Sequence, residues 1–242
     1  MKKKKIFTKH KILAKNSDWS FMGNVYKHFD EHINKSVPLY NLTHQLYLNI
    51  SDFFLQQDSK ILDIGCSTGS FLKKIYDRHL NNSRKVKFIG IDNVEQMINY
   101  CKKKYNKKNI KFFLSDVLKY KFLKKYCLIS SFYTIQFITP KLRQNLINKI
   151  YKSLNWGGAF FMVEKVRGPD ARFQDILNQI YTEYKISQGF SEIEILNKAR
   201  SLKGILEPFT SKANIDMLKR AGFSDITTVF KYGCFEGFLA IK

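Results

Sequence analysis

Acidic residues are scarce in this chain: 20 Asp and Glu stand against 42 Lys and Arg across 242 residues, a formal net charge of +22. Arginine is scarcer still, at 7 positions against 35 lysines. Specific nucleic-acid recognition favours arginine, because a guanidinium fork pairs bidentately with phosphate or guanine. Lysines scattered among abundant Asn, Ile, Phe and Tyr fit a compositional bias better than a selected basic surface, and charge alone assigns no partner. The four prolines build no Pro-rich linker, and no internal repeat divides the chain. Four cysteines, at 66, 101, 127 and 234, form no Cys-x-x-Cys pair and carry no metal-ligand spacing. They read as reduced thiols of a cytoplasmic protein with no metal. No apolar run approaches the roughly 18 residues that a membrane span needs. Met1 to Lys5 is basic like the start of a signal peptide, but lysines stud Ile6 to Lys15, so secretion is not expected.

Hydrophobic residues at 44% and aromatics at 15% suffice for a packed core. The chain reads as a single domain over 1–242, with a flexible basic tail at 1–17. Residues 22–56 carry apolar positions at helical spacing, including Val25, Phe29, Ile33, Leu42, Leu46 and Ile50, with Pro38 fitting a helix start. From residue 60 short apolar runs alternate with helical segments. Ile61–Ile64, Val86–Ile91, Ile110–Leu114, Cys127–Phe132 and Ala159–Val166 read as buried strands. Residues 70–80, 94–105 and 140–154 read as the helices between them, and 170–204 as a helical insertion. A helix at 211–221 ends at Gly222, and Ile226–Phe230 and Phe235–Ile241 close the chain as an antiparallel hairpin. This pattern predicts an α/β, Rossmann-like methyltransferase fold: a mostly parallel seven-stranded sheet with a terminal antiparallel hairpin, N-terminal helices over the site and a helical insertion.

The turn from Asp63 to Gly69 (Asp-Ile-Gly-Cys-Ser-Thr-Gly) carries the chemistry. A nucleotide cofactor over the carboxyl ends of parallel strands needs close backbone approach after strand one, which glycine permits. An ordinary tight strand-to-helix turn would share that composition. Asp92, ending the second strand, can accept from both ribose hydroxyls, and can also cap the helix that follows. Asp116 ends the third strand in the same way, where a carboxylate and a backbone N–H can read an adenine edge. Dinucleotide binding is the rival use of such a fold. Its G-x-G-x-x-G fingerprint needs a glycine where Ser67 stands, and a side chain there crowds a pyrophosphate. S-adenosylmethionine has no phosphate, so the residues point to it.

Further absences narrow the chemistry. No Pro-Cys pair offers a nucleophile toward a pyrimidine, and no Asn/Asp-Pro-Pro-aromatic motif serves amino-group methylation. The five histidines, at 10, 28, 32, 44 and 79, lie outside the strand ends and read as surface or packing residues. The sequence offers no evident general base.

The chain closely resembles the carboxy-S-adenosylmethionine synthases, from about Asp18 to Lys242. The resemblance rests on Asp18-Trp19-Ser20-Phe21, Ser36-Val37-Pro38-Leu39-Tyr40, Asp63-Ile64-Gly65-Cys66-Ser67 and Ile91-Asp92-Asn93. It continues through Ile135-Gln136-Phe137, the Asn155-Trp156-Gly157-Gly158 turn before strand five, Gly189-Phe190-Ser191-Glu192 and Ala221-Gly222-Phe223. The resemblance implies cofactor contacts from Tyr40, Gly65, Cys66, Ser67, Asp92, Asn93, Asp116 and Val117. A family arginine that binds the carboxylate of carboxy-S-adenosylmethionine matches Arg200, with Ala199 in the strict register. A family asparagine near strand four falls on Phe132, so that contact is not carried over.

The implied reaction combines S-adenosylmethionine with prephenate to give carboxy-S-adenosylmethionine and phenylpyruvate. The product then supplies a tRNA carboxymethyltransferase that acts on the wobble uridine. A homodimer is implied, and no direct specific tRNA binding. Two other readings remain open on the residues alone: a methyltransferase acting directly on tRNA or a small molecule, and a basic RNA-binding module on an inactive cofactor fold. Retention of Gly65, Asp92 and Asp116 together argues against the second.

Overall fold

The computed structural model describes residues 19–80, 85–105, 107, 109–122 and 125–242. The expected tail 1–17 and Asp18 lie outside the described residues. One sheet organises the rest. Its strands are β1 (Lys60–Ile64), β2 (Lys87–Asp92), β3 (Ile110–Leu114), β4 (Tyr126–Phe132), β5 (Leu154–Lys165), β6 (Asp225–Tyr232) and β7 (Phe235–Ile241). They lie in the order β3-β2-β1-β4-β5-β7-β6. The pairings from β3 through β5 are parallel, and β7 runs antiparallel to both β5 and β6. The strand order reverses between β1 and β4, and there the crevice outside the carboxyl ends opens for a ligand.

Both faces of the sheet are covered, because alternate residues of each strand point opposite ways. Ile61, Leu128 and Phe161 face one core with Tyr47, Phe71 and Ile75, which come from α2 (Tyr40–Ser51) and α3 (Ser70–Leu80). Their neighbours Leu62, Ile129 and Phe160 face the other core. Leu146, Ile147 and Leu218 meet them there from α5 (Pro140–Ser153) and α8 (Ser211–Ala221). The remaining helices are α1 (Phe29–Ser36), α4 (Glu95–Lys104), α6 (Ala171–Ser187) and α7 (Glu192–Ser201). The expected insertion is therefore two helices, split where Gly189 turns at φ 85 and Ser191 opens α7 with a capping box to Glu194.

Three local expectations need correction. Asn155–Gly158 does not precede strand five but lies inside β5, as a bulge: Tyr126 pairs with Leu154, and the next pair is Leu128 with Ala159. Gly157 takes φ 72 there, and backbone bonds to Lys242 lock the pair of glycines against the chain end. The bulge sits at the opposite end of the sheet from the crevice. Pro38 does not open α2; the chain first passes through Leu39 in the left-handed region (φ 55), and Tyr40 begins the helix. Phe53 and Phe54, inside the stretch 22–56 read at helical spacing, follow α2 in a turn.

Phe161 lies fully buried beneath α2, 4.7 Å from the Tyr47 ring. Phe161→Ala is expected to lower unfolding stability by about 3–5 kcal/mol through lost burial and a cavity. Urea denaturation measures that loss, and an unchanged midpoint would remove the ring from the core.

Candidate functional site

The turn after β1 is fastened to β2 before any ligand arrives. The Gly65 and Cys66 amides both donate to the Ile91 carbonyl, at 2.9 and 3.0 Å. Gly65 holds φ 67, and a Cβ there would overlap the Thr134 side chain, so the position admits only glycine. Ser67 is left-handed without being glycine (φ 52), and its amide donates to Asp92 Oδ2 at 2.9 Å. Asp92 Oδ1 accepts from the Val94 amide at 2.9 Å, an Asx turn leading into α4. Asp92 thus reaches both turns, but it does not cap α4, whose N-cap is Val94 with no side-chain cap bond. Burial raises its carboxyl above the ordinary range, and the three backbone amides from Val94, Ser67 and Asn93 oppose the rise. In a dinucleotide site an amide of this turn would face a pyrophosphate; here the Ser67 amide already serves a carboxylate.

Asn93 follows Asp92 with its side chain exposed. Asp116 and Val117 lie one turn beyond β3, both half-buried. Asp116 Oδ1 accepts from the Leu118 amide at 2.9 Å, while the Ser115 amide reaches the Asp92 carbonyl at 2.9 Å. Gly65, Cys66, Ser67, Asp92, Asn93, Asp116 and Val117 therefore line the ends of β1, β2 and β3 side by side. Beneath them Asp63 is buried on β1 and accepts from Ser130 Oγ at 2.7 Å. Burial pushes its carboxyl up to about 7, the Ser130 bond acts against this, and the Asp92 charge adds to it.

The N-terminal helices close over this turn. Thr68 Oγ1 donates to Asp30 of α1 at 2.6 Å, and Lys74 of α3 reaches Asn41 of α2 at 3.1 Å. Tyr40 is buried at the start of α2, bonded to Ser70 and stacked on Tyr133 at 6.1 Å. Phe132, at the family's asparagine position, packs against Phe71 at 4.3 Å and His44 at 5.1 Å, so it serves the core. His44 is itself buried among those rings, and burial with the Lys74 charge pushes its imidazole down to about 3. Three of the histidines read as surface or packing residues, at 32, 44 and 79, are buried.

Arg200 stands apart. It is exposed near the end of α7, on the face that also carries exposed Ile193 and Leu196, and Ala199 beside it is exposed too. Several contributors were not legible in the sequence. Thr134, which fills the space beside Gly65, and Asp30, which holds Thr68, come from segments distant in sequence with no motif of their own. Glu164 is buried at the end of β5, accepts from the Ile135 and Gln136 amides at 3.0 and 2.9 Å, and is pushed up to about 8 by burial. Lys165, Lys185 and Lys198 converge from β5, α6 and α7, and among 35 lysines nothing in their spacing marked them. Among the described residues, no group of three His, Cys, Asp or Glu side chains is placed to hold a metal ion. No helix there is long and apolar enough to cross a membrane.

Two outcomes follow from this geometry. Asp92→Ala removes the acceptor joining both turns and is expected to weaken S-adenosylmethionine binding about 10- to 100-fold; calorimetry showing wild-type affinity would take Asp92 out of the site. Asp63 binds its proton more tightly folded than unfolded, so its contribution to stability is full below about pH 4. That contribution falls as pH rises toward about 7 and is level above. Asp63→Asn should therefore be more stable than wild type by about 1–3 kcal/mol at pH 8, with the gap closing toward pH 4. Thermal unfolding across pH measures it, and a gap independent of pH would contradict the assignment.

The chain is similar to known proteins over most of its length. A methyltransferase-domain family matches residues 61–158, the segment from β1 to the bulge of β5. Carboxy-S-adenosyl-L-methionine synthase of Staphylococcus epidermidis is 38% identical over 225 residues, covering 93% of this chain and 97% of its own. The synthase of Nautilia profundicola is 39% identical over 226 residues, with 93% and 94% covered. Among solved structures, human N-acetylserotonin methyltransferase in complex with SAM superposes with a TM-score of 0.58 at 18% identity, covering 90% of this chain and 57% of that one. A putative O-methyltransferase of Nostoc punctiforme gives 0.63 at 14% identity, with 90% and 61% covered; both likenesses concern the fold alone. On a methyltransferase fold, with its cofactor turn intact and relatives matched across nearly its whole length, this chain belongs to the carboxy-S-adenosyl-L-methionine synthase family.

Proposed function

We propose that this protein converts S-adenosyl-L-methionine and prephenate to carboxy-S-adenosyl-L-methionine and phenylpyruvate. We further infer that the product serves a tRNA carboxymethyltransferase forming 5-carboxymethoxyuridine at the wobble position. The observation that carries the reading is the identity of 36–39% over 93% of the chain to synthases of that name. The chemistry around the turn supports it. Ordinary methyl transfer asks for a base to activate an acceptor, and the groups packed against the turn itself are poor ones. His44 is pushed down to about 3, while burial pushes the Tyr40 phenol and Cys66 thiol up. Asp63 is buried and bound to Ser130.

The sulfonium acidifies its methyl protons, while prephenate releases carbon dioxide and hydroxide as it aromatises, so the substrates supply carbon acid, carboxyl group and base, and water is the balancing product. The protein's own residues bind, orient and shield. Asp92 receives the ribose hydroxyls, and Asp116 with the Val117 amide reads the adenine edge. Tyr40 and the helices above the turn exclude water. Arg200, exposed on α7 and apart from the turn, would hold the new carboxylate from a neighbouring copy, a task suited to a guanidinium fork. Self-association is supported by α6, which buries none of its residues and exposes Phe173, Ile176 and Ile180.

Incubation with S-adenosylmethionine and prephenate, followed by mass spectrometry, tests the reading. It should yield an adenosylmethionine bearing one extra carboxyl group, together with phenylpyruvate. Its absence, with methylated tRNA appearing instead, would favour a direct methyltransferase. Arg200→Ala should bind S-adenosylmethionine as wild type does but lose about 2–5 kcal/mol of preference for the carboxylated ligand, and Arg200→Lys should recover only part. Equal discrimination by all three proteins in competitive binding would make Arg200 a surface residue.

A further inference from the structure

We propose that Lys165, Lys185 and Lys198 form the binding site for a small dicarboxylate, on the β5 side of the crevice. Lys165 ends β5, whose neighbour β4 borders the crevice, and Lys185 and Lys198 reach over from α6 and α7. The Lys165 and Lys185 ammoniums both sit over the Tyr181 ring, 4.5 and 4.4 Å from its centre. The Tyr181 hydroxyl donates to the Ser36 carbonyl at 2.9 Å, and Lys198 Nζ lies 3.5 Å from Ser36 Oγ and 2.5 Å from His32 Nε2. Rings connect this cluster to the cofactor side: Tyr181 meets Phe235 at 5.1 Å, Phe235 meets Tyr133 at 6.0 Å, and Tyr133 stacks on Tyr40.

Three ammoniums packed together should be balanced by carboxylates, and here they are not. Among the described residues no ion pair joins any of them to an acid. The charges acting on Lys198 are Lys185 and Lys165, both of its own sign. Arg167 adds to the repulsion at Lys165, and the one opposing group there is the Cys234 thiol. Burial first, and this repulsion second, push Lys198 down to about 7 and Lys185 down to about 8. Like charges brought together under partial burial destabilise the fold, so a protein that keeps them has an anion to put between them. Ammoniums arriving from three separate elements around Tyr181 and Ser36 suit an anion with more than one carboxylate. The walls of Tyr181, Trp19 and Phe190 suit an apolar body between the two carboxylates: Lys198 lies 5.0 Å over Trp19, and His32 meets Phe190 at 5.6 Å. For the identity of the dicarboxylate the proposal rests on the reading above, in which prephenate is the second substrate.

The test uses the full chain, with Lys185→Met, Lys198→Met, Lys185→Arg and the exposed control Lys212→Met. Prephenate KM and prephenate affinity by calorimetry should weaken about 10- to 100-fold in both methionine variants. S-adenosylmethionine affinity should stay within about twofold of wild type, since those contacts lie on the other strands. Lys185→Arg should restore binding, and Lys212→Met should match wild type throughout. Thermal midpoints of the methionine variants should hold or rise, because a repelling charge has gone; a structural lysine would lower them. Wild-type prephenate affinity in both methionine variants overturns the site. So does failure of the wild-type protein to bind both prephenate and malonate. Binding of prephenate through these lysines without a carboxylated product upholds the site and removes the proposed reaction.

Discussion

The carboxylate of Asp92 holds together two turns that would otherwise be separate loops. One oxygen takes the Ser67 amide from the turn after β1, the other takes the Val94 amide from the turn after β2. The Ile91 carbonyl just before it receives both Gly65 and Cys66. A non-glycine residue in the left-handed region costs about 1–2 kcal/mol, and the charge-assisted bond to Asp92 offsets that at Ser67. The pairing of β1 and β2 is thereby extended past the ends of the strands, and the turn stays open to a cofactor without needing the middle glycine of a dinucleotide site.

The electrostatics divide the crevice into two halves. Buried Asp63 and Asp92 lie at β1 and β2, and their environment favours a cation, which a sulfonium supplies. Uncompensated Lys165, Lys185 and Lys198 lie toward β5 and the inserted helices, where an anion is favoured. The two halves meet across Tyr40, Tyr133 and Phe235, rings that carry little charge and keep the fields apart.

The cover over the crevice is built from the N-terminal helices and the inserted helices. Helices α1 and α2 are fixed to the cofactor turn by Asp30 and Lys74, and α6 is tied back to Ser36 by Tyr181. Leu177 and Tyr181 pack at the inner edge of α6 against Val37, Tyr40 and Phe235, while Phe173, Ile176 and Ile180 stay exposed on its outer face.

The sequence by itself determined the sheet and the turn. The interiors of β1 and β2 (Ile61, Leu62 and Ile64; Phe88, Ile89 and Ile91) are apolar on both faces because both faces of a parallel sheet are covered, and that continuity is visible without coordinates. Gly65, Ser67 and Asp92 were legible because strand-end chemistry follows directly from strand position. Asn155–Gly158 was misplaced, since a glycine pair reads as a turn whether it ends a strand or bulges within one. Thr134 against Gly65, Asp30 on Thr68 and the meeting of three lysines from β5, α6 and α7 were decided by the tertiary structure alone. Each joins segments far apart in the chain, and in a sequence with 35 lysines the three that converge differ from the rest only in what the fold packs around them.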